Sequence, residues 1–342
     1  MMRRALSLAA RAGLPVLTRI DPELAHDLGL AALRGLRPLL PAQEFAAGLA
    51  VRCCGLNFPH PLGLAAGFDK NGDCLDGLGA LGFSHIELGT VTPRPQPGNP
   101  KPRMFRIPAS RALINRMGFN NKGVDHLVAQ ISGSRYRGVR GISIGKNFDT
   151  PLDRAQDDYV ACMRKVYVAA DYIAVNISSP NTLRLRELQS SDGLGRILGA
   201  LLEERAVLQD RYGKRVPLLV KVAPDLSAEQ VTALALDLRT LQIDGVIATN
   251  TSTGRSGLDP SPPAQEQGGL SGAPLHPLSL RVISQLRAEL GTHFPIIGVG
   301  GIVNAAAARA TLGAGANLIQ VYTGFAYRGP ALLEEILGAI TS

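Results

Sequence analysis

The chain has no tryptophan, and aromatic residues fill only 5% of its 342 positions. It has no apolar run of about 18 residues, the length a helix needs to cross a bilayer. No low-complexity tract appears, and with 45% hydrophobic residues a disordered chain is excluded. Cysteine is scarce. Cys53, Cys54, Cys74 and Cys162 form no CxxC pair, and the adjacent pair is poor disulfide or zinc geometry. Reduced thiols and no bound metal are the expectation. Zinc-finger spacing and interleaved basic–aromatic motifs are also missing, so the net charge of +8 is not assigned to nucleic acid. An anionic membrane surface or small anionic ligands account for it as well.

What is present begins with a basic terminus. Through Arg37 the chain carries six arginines against three acids. A signal peptide is disfavoured because Arg11 interrupts the apolar run that should follow Arg3-Arg4. Two short helices fit instead. The first spans about 2–12 and ends at Gly13 and Pro15. The second opens at Asp21-Pro22-Glu23, with Asp as N-cap and Pro in the first turn. Leu24, Leu28, Ala31 and Ala32 then share one face. Such basic, leucine-bearing helices either lie in a membrane interface or pack as a pair on the main domain. Residues 1–42 are therefore separated from a domain over 43–342.

After Pro61 the chain alternates. Apolar runs at 62–67, 85–90, 141–145, 172–177, 217–223, 245–250, 295–301 and 317–322 are separated mostly by helical periodicity, at 72–82, 154–169, 194–212, 227–242, 277–291, 304–313 and 330–340. Short apolar runs alternating with helices mean parallel β/α units. Eight of them predict an α/β fold, a (β/α)8 TIM barrel, with the stretch at 51–61 as a hairpin plugging its floor.

Chemistry in such barrels sits at the C-terminal strand ends. Here those ends carry Lys70, Thr90, Lys146-Asn147, Asn176 to Ser179, Lys221, Thr249 to Thr251, Gly300-Gly301 and Tyr322-Thr323. GVGGI (298–302) followed by a helix, with YTG (322–324) behind it, fits a phosphate loop after strands seven and eight. Lys221 lies inside an apolar strand. It serves either a structural ion pair or charge placed beside an electron-accepting ring. Lys70 is either a solvated loop residue or a carboxylate ligand. Asn115, Asn176, Asn181 and Asn250 each offer donor and acceptor to an amide-rich ring, though each alone also suits a turn. Ser179 lacks a nucleophile elbow or a triad partner nearby, so acyl transfer is disfavoured. It is a base only if held against an acidic C–H, and otherwise shapes a turn.

The stretches DPELAH, AAGFDKNG, ELGTVTPRPQPGNPKPRMFR, INRMGFNN, IGKN, NISSPNT, TNTS, GGLSG, GVGGI and YTGF occur in an order similar to that of the quinone-linked (class 2) dihydroorotate dehydrogenase family. The resemblance implies an FMN enzyme that oxidises dihydroorotate to orotate in pyrimidine synthesis and reduces a membrane quinone. It also implies peripheral attachment at the cytoplasmic face of the cell membrane, with no obligatory protein partner. On it, Ala66, Gly67, Phe68, Asp69, Lys70, Thr90, Asn147, Asn176, Lys221, Thr249, Gly272, Gly301, Tyr322 and Thr323 would hold FMN. Lys70, Asn115, Arg116, Met117, Gly118, Phe119, Asn176, Asn181, Asn250 and Thr251 would hold substrate. Ser179 would be the base, and His26, Arg106 and Tyr322 would line a quinone tunnel. Soluble relatives use cysteine as the base and lack the N-terminal helices. A different FMN oxidoreductase, a non-redox barrel acting on sugar phosphates, or a membrane scaffold are the alternatives.

Overall fold

Runs of Val, Ile and Leu bounded by Gly, Pro or Asn form the strands of the computed structural model, which describes residues 13–37, 40, 45, 48–182, 185–189 and 191–341. A hairpin comes first, β1 (Val51–Cys53) and β2 (Leu56–Phe58), paired antiparallel. Eight parallel strands follow: β3 (Leu62–Leu64), β4 (His85–Val91), β7 (Val139–Ile144), β8 (Tyr172–Asn176), β9 (Leu218–Val222), β10 (Gly245–Ala248), β12 (Ile296–Val299) and β13 (Leu318–Val321). They close in that order into a barrel, β13 pairing back onto β3. Six fall inside the expected runs, while β4 extends one residue beyond its run to Val91 and β7 begins two residues before its run at Val139.

The two-residue period of a strand sets what faces the ligand. Tyr172 and Ala174 of β8, Leu219 of β9, Ile247 and Leu318 form the inner cluster with Phe58 of the hairpin. Ile173, Val175, Leu218, Val220 and Val222 belong to the outer cluster that contains the helices' apolar faces. The same alternation turns Asn176 and Lys221 inward at the top, and the two are register partners on β8 and β9. Phe58 stacks edge-on against His85 at 5.2 Å, which places the hairpin as the floor plug the sequence predicts.

Helices flank the strands close to the expected ranges, for example Ala228–Thr240, whose Ser227 and Gln230 make a capping box. Three elements were not foreseen. The helix Val124–Ser132 lies between β4 and β7, and Thr323–Arg328 follows β13. A separate antiparallel sheet joins β5 (Met104–Ile107), β6 (Ala112–Asn115) and β11 (Gly269–Gly272). Its strands come from distant loops and bring Asn115 and Gly272 to the barrel mouth.

The helix Pro22–Gly35 begins as expected. Asp21 Oδ1 accepts from the backbone N–H groups of Glu23 (3.0 Å) and Leu24 (2.9 Å). Leu24 and Leu28, on the predicted apolar face, are 51% and 48% exposed, and Val16 is 63% exposed. The opposite side is fastened down. Buried Glu23 pairs with Arg103 at 2.8 Å and with Lys101 at 3.2 Å. Residues 13–17 are helical, so the first helix does not end at Gly13 and Pro15; its predicted body at 2–12 lies outside the described residues. No helix among the described residues is long and apolar enough to cross a membrane.

Candidate active site

The strand ends line a cleft at the barrel mouth, about 1000 Å³ of space that opens to solvent. Its walls combine apolar residues such as Met117 and Val299 with many polar side chains, and the polar ones are already organised. Asn176 donates from Nδ2 to Thr90 Oγ1 (2.7 Å), and Thr90 bonds Ser143 (2.9 Å). Asn250 donates to Asn176 Oδ1 (3.2 Å) and Ser178 Oγ (3.1 Å), while its own Oδ1 accepts from Thr251 N (2.8 Å). Across the cleft Asn181 donates to Asn115 Oδ1 (3.1 Å). The four asparagines thus sit in two hydrogen-bonded pairs with fixed amide orientations. Ser179 is buried, lines the cleft, and its Oγ accepts from Asn181 N (3.2 Å).

Glycines shape one end. Gly300 and Gly301 have φ of +126° and +71°, and a Cβ on Gly301 would stand 2.5 Å from His276 N. A Cβ on Gly272 would strike the carbonyl of Arg111. A backbone this close admits no side chain, but its N–H groups can reach an anion. Beside it the Thr249 hydroxyl is buried and finds no partner among the described residues. Thr323 bonds Ser271 at 2.8 Å. An unpaired hydroxyl, a glycine cradle and a buried lysine fit a flat, phosphate-bearing cofactor.

Two lysines give the cleft its charge. Lys70 donates to the Gly67 carbonyl (2.8 Å), and burial pushes its ammonium down to about 8. Lys221 is 5% exposed and bonds Glu87 Oε1 (3.2 Å). Glu87, wholly buried, also accepts from Gln320 (2.9 Å) and the Tyr172 hydroxyl (3.1 Å). Glu87 was missed in the sequence. The signal was there: a carboxylate within the apolar strand HIELGT has to meet a cation, and Lys221 is the charge inside another apolar strand.

Ala66, Met117, Gly118 and Phe119 also line the cleft. Asp69, Asn147 and Arg116 do not. The Asp69 carboxylate caps the turn below it, accepting from the N–H groups of Asn71, Asp73 and Cys74. Asn147 donates to Thr92, the Arg94 carbonyl and Gln96, bracing the loop after β4. Arg116 leans outward to Glu266 (2.7 Å), its guanidinium 4.6 Å from the Phe105 ring centroid.

A second cavity, about 1350 Å³, runs between the N-terminal helices and the barrel. Leu14, Leu17, Ala25, Leu33, Met104 and Phe325 make it mainly apolar. Phe68 opens here rather than into the first cleft. His26 and Arg106 line the cavity too. The His26 ring meets Phe68 edge-on at 4.9 Å, and burial with the nearby Lys70 charge pushes it down to about 3, so it is neutral at physiological pH. Arg106 donates to the carbonyls of Thr18 and Ile20, both at 2.9 Å, pinning the turn between the helices. Phe68 in turn packs on Tyr322 at 5.5 Å. Tyr322 lines both cavities, so one side chain separates the polar cleft from the apolar one.

The family model for dihydroorotate dehydrogenase matches residues 48–342. A protein of Aromatoleum aromaticum named dihydroorotate dehydrogenase (quinone) is 55% identical over 327 residues, covering 96% of this chain and 93% of that protein. One of the same name from Pseudomonas aeruginosa is 52% identical over 332 residues, 96% of each. A crystal structure of DHODH from Eimeria tenella in complex with ferulenol superposes with a TM-score of 0.86 at 37% identity, covering 94% of this chain and 90% of that one.

Proposed function

The chain belongs to the dihydroorotate dehydrogenase family, in its quinone-dependent branch, and from that premise we propose how its two cavities divide the reaction. The enzyme oxidises dihydroorotate to orotate in pyrimidine synthesis, with a quinone as electron acceptor. The polar cleft takes FMN and the substrate. Bound FMN would supply the two-electron acceptor for the substrate hydride. The Gly300–Gly301 backbone, with Thr323 nearby, is suited to its phosphate, and Thr249, Lys221 and Asn176 to its ring.

The substrate ring lies among the asparagines. Asn115 with Asn181, and Asn176 with Asn250, present donors and acceptors in fixed directions, so the ring's amides are read without reorganising the site. Lys70 meets the substrate carboxylate. Ser179 takes the C5 proton. A serine hydroxyl is a weak base, so proximity has to do much of the work, and removing it is worth about 10²–10⁴ in rate. Of the residues the resemblance assigned, Asp69, Asn147 and Arg116 also brace the loops around the cleft.

The apolar cavity takes the quinone. Its exposed flank bears Val16, Leu24 and Leu28, which fit into the acyl boundary of a bilayer, while the arginines of the first segment suit anionic headgroups. The protein would then sit peripherally on the cytoplasmic face of the cell membrane. The observation carrying this reading is Tyr322, shared by both cavities. Gly29 offers the test. It lines the apolar cavity, and a Cβ added there meets nothing within 4 Å. Gly29→Phe should block reduction of a long-chain quinone while flavin reduction by dihydroorotate and transfer to a small soluble dye continue. Unchanged quinone reduction would move the acceptor elsewhere.

A further inference from the structure

The loop that carries Ser179 is held at its neighbour Ser178, whose Oγ accepts from Asn250 Nδ2 (3.1 Å) and whose backbone N–H donates to Asn176 Oδ1 (3.3 Å). Ser179 Oγ holds the Asn181 N–H inside the same loop, while Asn181 donates to Asn115 on the outer sheet and accepts at its carbonyl from Asn99 Nδ2 (3.3 Å). A charged attachment that reaches three loops at once comes from Arg186, on the short turn Leu185–Gln189. Its Nε donates to the Ser178 carbonyl (3.2 Å), Nη1 to Asp225 Oδ2 (2.7 Å) and Nη2 to the Thr251 carbonyl (2.7 Å). Those acceptors lie on the loops after β8, β9 and β10. Asp225 is itself held, by the Ser252 hydroxyl and by Thr253 N (3.1 Å). The far end of the turn is tied by Gln189 Oε1, which accepts from Ala223 N (3.1 Å), and Leu185 and Leu188 bury beneath it.

We infer that Arg186 is a positioning residue for proton abstraction, stapling the Ser179 loop to the Thr251 loop so that the serine hydroxyl stands at the substrate ring. The inference rests on Ser179 being the base. The lever is short. Arg186 holds the carbonyl of Ser178, and that carbonyl belongs to the peptide that leads into Ser179. A general base must stand within about 2.6–3.2 Å of the group it deprotonates, and a misplacement of about 1 Å from a remote change costs on the order of 10²-fold. Only a guanidinium supplies the pattern, since it is a planar fork with fixed donor directions, while an ammonium is a point charge. The Arg186 and Asp225 side chains are 23% and 26% exposed. Solvent screens such a pair, so its value lies in geometry more than in stability.

The test uses the flavin-loaded enzyme and its Arg186→Ala and Arg186→Lys variants. Anaerobic stopped-flow mixing with dihydroorotate gives the flavin bleaching rate, and hydrogen exchange of the 177–189 peptide reports the loop. In Arg186→Ala, bleaching should slow on the order of 10²-fold. Flavin content, orotate affinity and the pH at half-maximal rate should hold, and the peptide should exchange faster. Added guanidinium ion should restore part of the rate in Arg186→Ala alone, and Arg186→Lys should recover little. Native bleaching with faster exchange would show a tether that does not position the base. Unchanged exchange would show no tether. Either overturns the inference. If Arg186→Ala loses its flavin, Asp225→Asn removes the charged anchor alone, and a native bleaching rate there is equally fatal. Failure of the underlying reading has a separate signature: Ser179→Ala would bleach at the native rate with Arg186 intact.

Discussion

Lys70 makes the site's pH dependence calculable. Its ammonium is held at about 8, against an ordinary value of 10.5, chiefly by burial. At pH 7 roughly nine in ten molecules then carry the charge, and at pH 9 roughly one in ten. An anionic ligand favours the charged form and raises the pKa in the complex. Affinity for orotate is therefore at its full value below pH 8 and falls as pH rises above it. The expected change in Kd between pH 7 and pH 9 is about tenfold. Titrating the flavin absorbance with orotate from pH 6 to 9 measures it directly. Calorimetry at pH 8 in two buffers of different ionisation enthalpy should record uptake of about half a proton per orotate bound. Lys70→Met should bind weakly at every pH, with the slope gone. A flat curve for the native enzyme, or an unchanged slope in Lys70→Met, would refute the assignment of Lys70 to the carboxylate.

Ser179→Ala should keep its flavin and lose about 10²–10⁴ in bleaching rate, while Ser179→Cys should retain some activity with a lower pH threshold, since a thiol ionises near ~8.5. Gly301→Asp should purify without flavin though folded, because its side chain collides with His276 N and its charge opposes a phosphate; full flavin content would remove the phosphate from that loop. Glu23→Gln should loosen the N-terminal helices. Arg103 keeps its bonds to the Pro97 and Asn99 carbonyls, so the loss should sit near the low end for a broken buried pair, about 3 kcal/mol, read as a lower melting temperature and a lower ratio of quinone to dye reduction. Burial raises the Glu23 carboxyl, but its bonds to Arg103 and Lys101 outweigh this and hold it below 4.5, so the same docking should weaken in the native enzyme as pH falls below about 4.5. Deleting residues 1–40 should leave flavin reduction by dihydroorotate and abolish vesicle binding and long-chain quinone reduction. The deletion also strips Arg103 and Lys101 of their carboxylate, so the remaining barrel should melt earlier than the full chain.

The barrel was legible because each parallel strand is a short apolar run that must end where it meets the loops, and residues such as Asn176 and Thr249 mark those ends. The capped helix at Asp21-Pro22 was legible for a similarly local reason. The antiparallel sheet was not. MFRI, ALIN and GLSG carry no strong alternation, and β11 pairs with β6 across about 150 residues of chain, a contact no local pattern reports. At the site, residue types at strand ends located the cleft, but side-chain direction stayed hidden. Asp69 and Asn147 look like ligands by position, and the folded structure adds that their side chains bond backbone groups beside them. Arg186 was invisible for the converse reason. It sits in a polar stretch with other charges, and only the folded loops show that its fork meets three acceptors at once.

In the proposed division of labour, one barrel oxidises dihydroorotate in one cleft and hands the electrons to a quinone in the apolar one. The visible absorbance of the purified protein, followed anaerobically, tests both halves in a single cuvette. The protein should be yellow, bleach on adding dihydroorotate, and regain its colour when a long-chain quinone in anionic vesicles is added. A colourless protein, a flavin that dihydroorotate leaves oxidised, or a bleached flavin that vesicle-borne quinone cannot restore would contradict it.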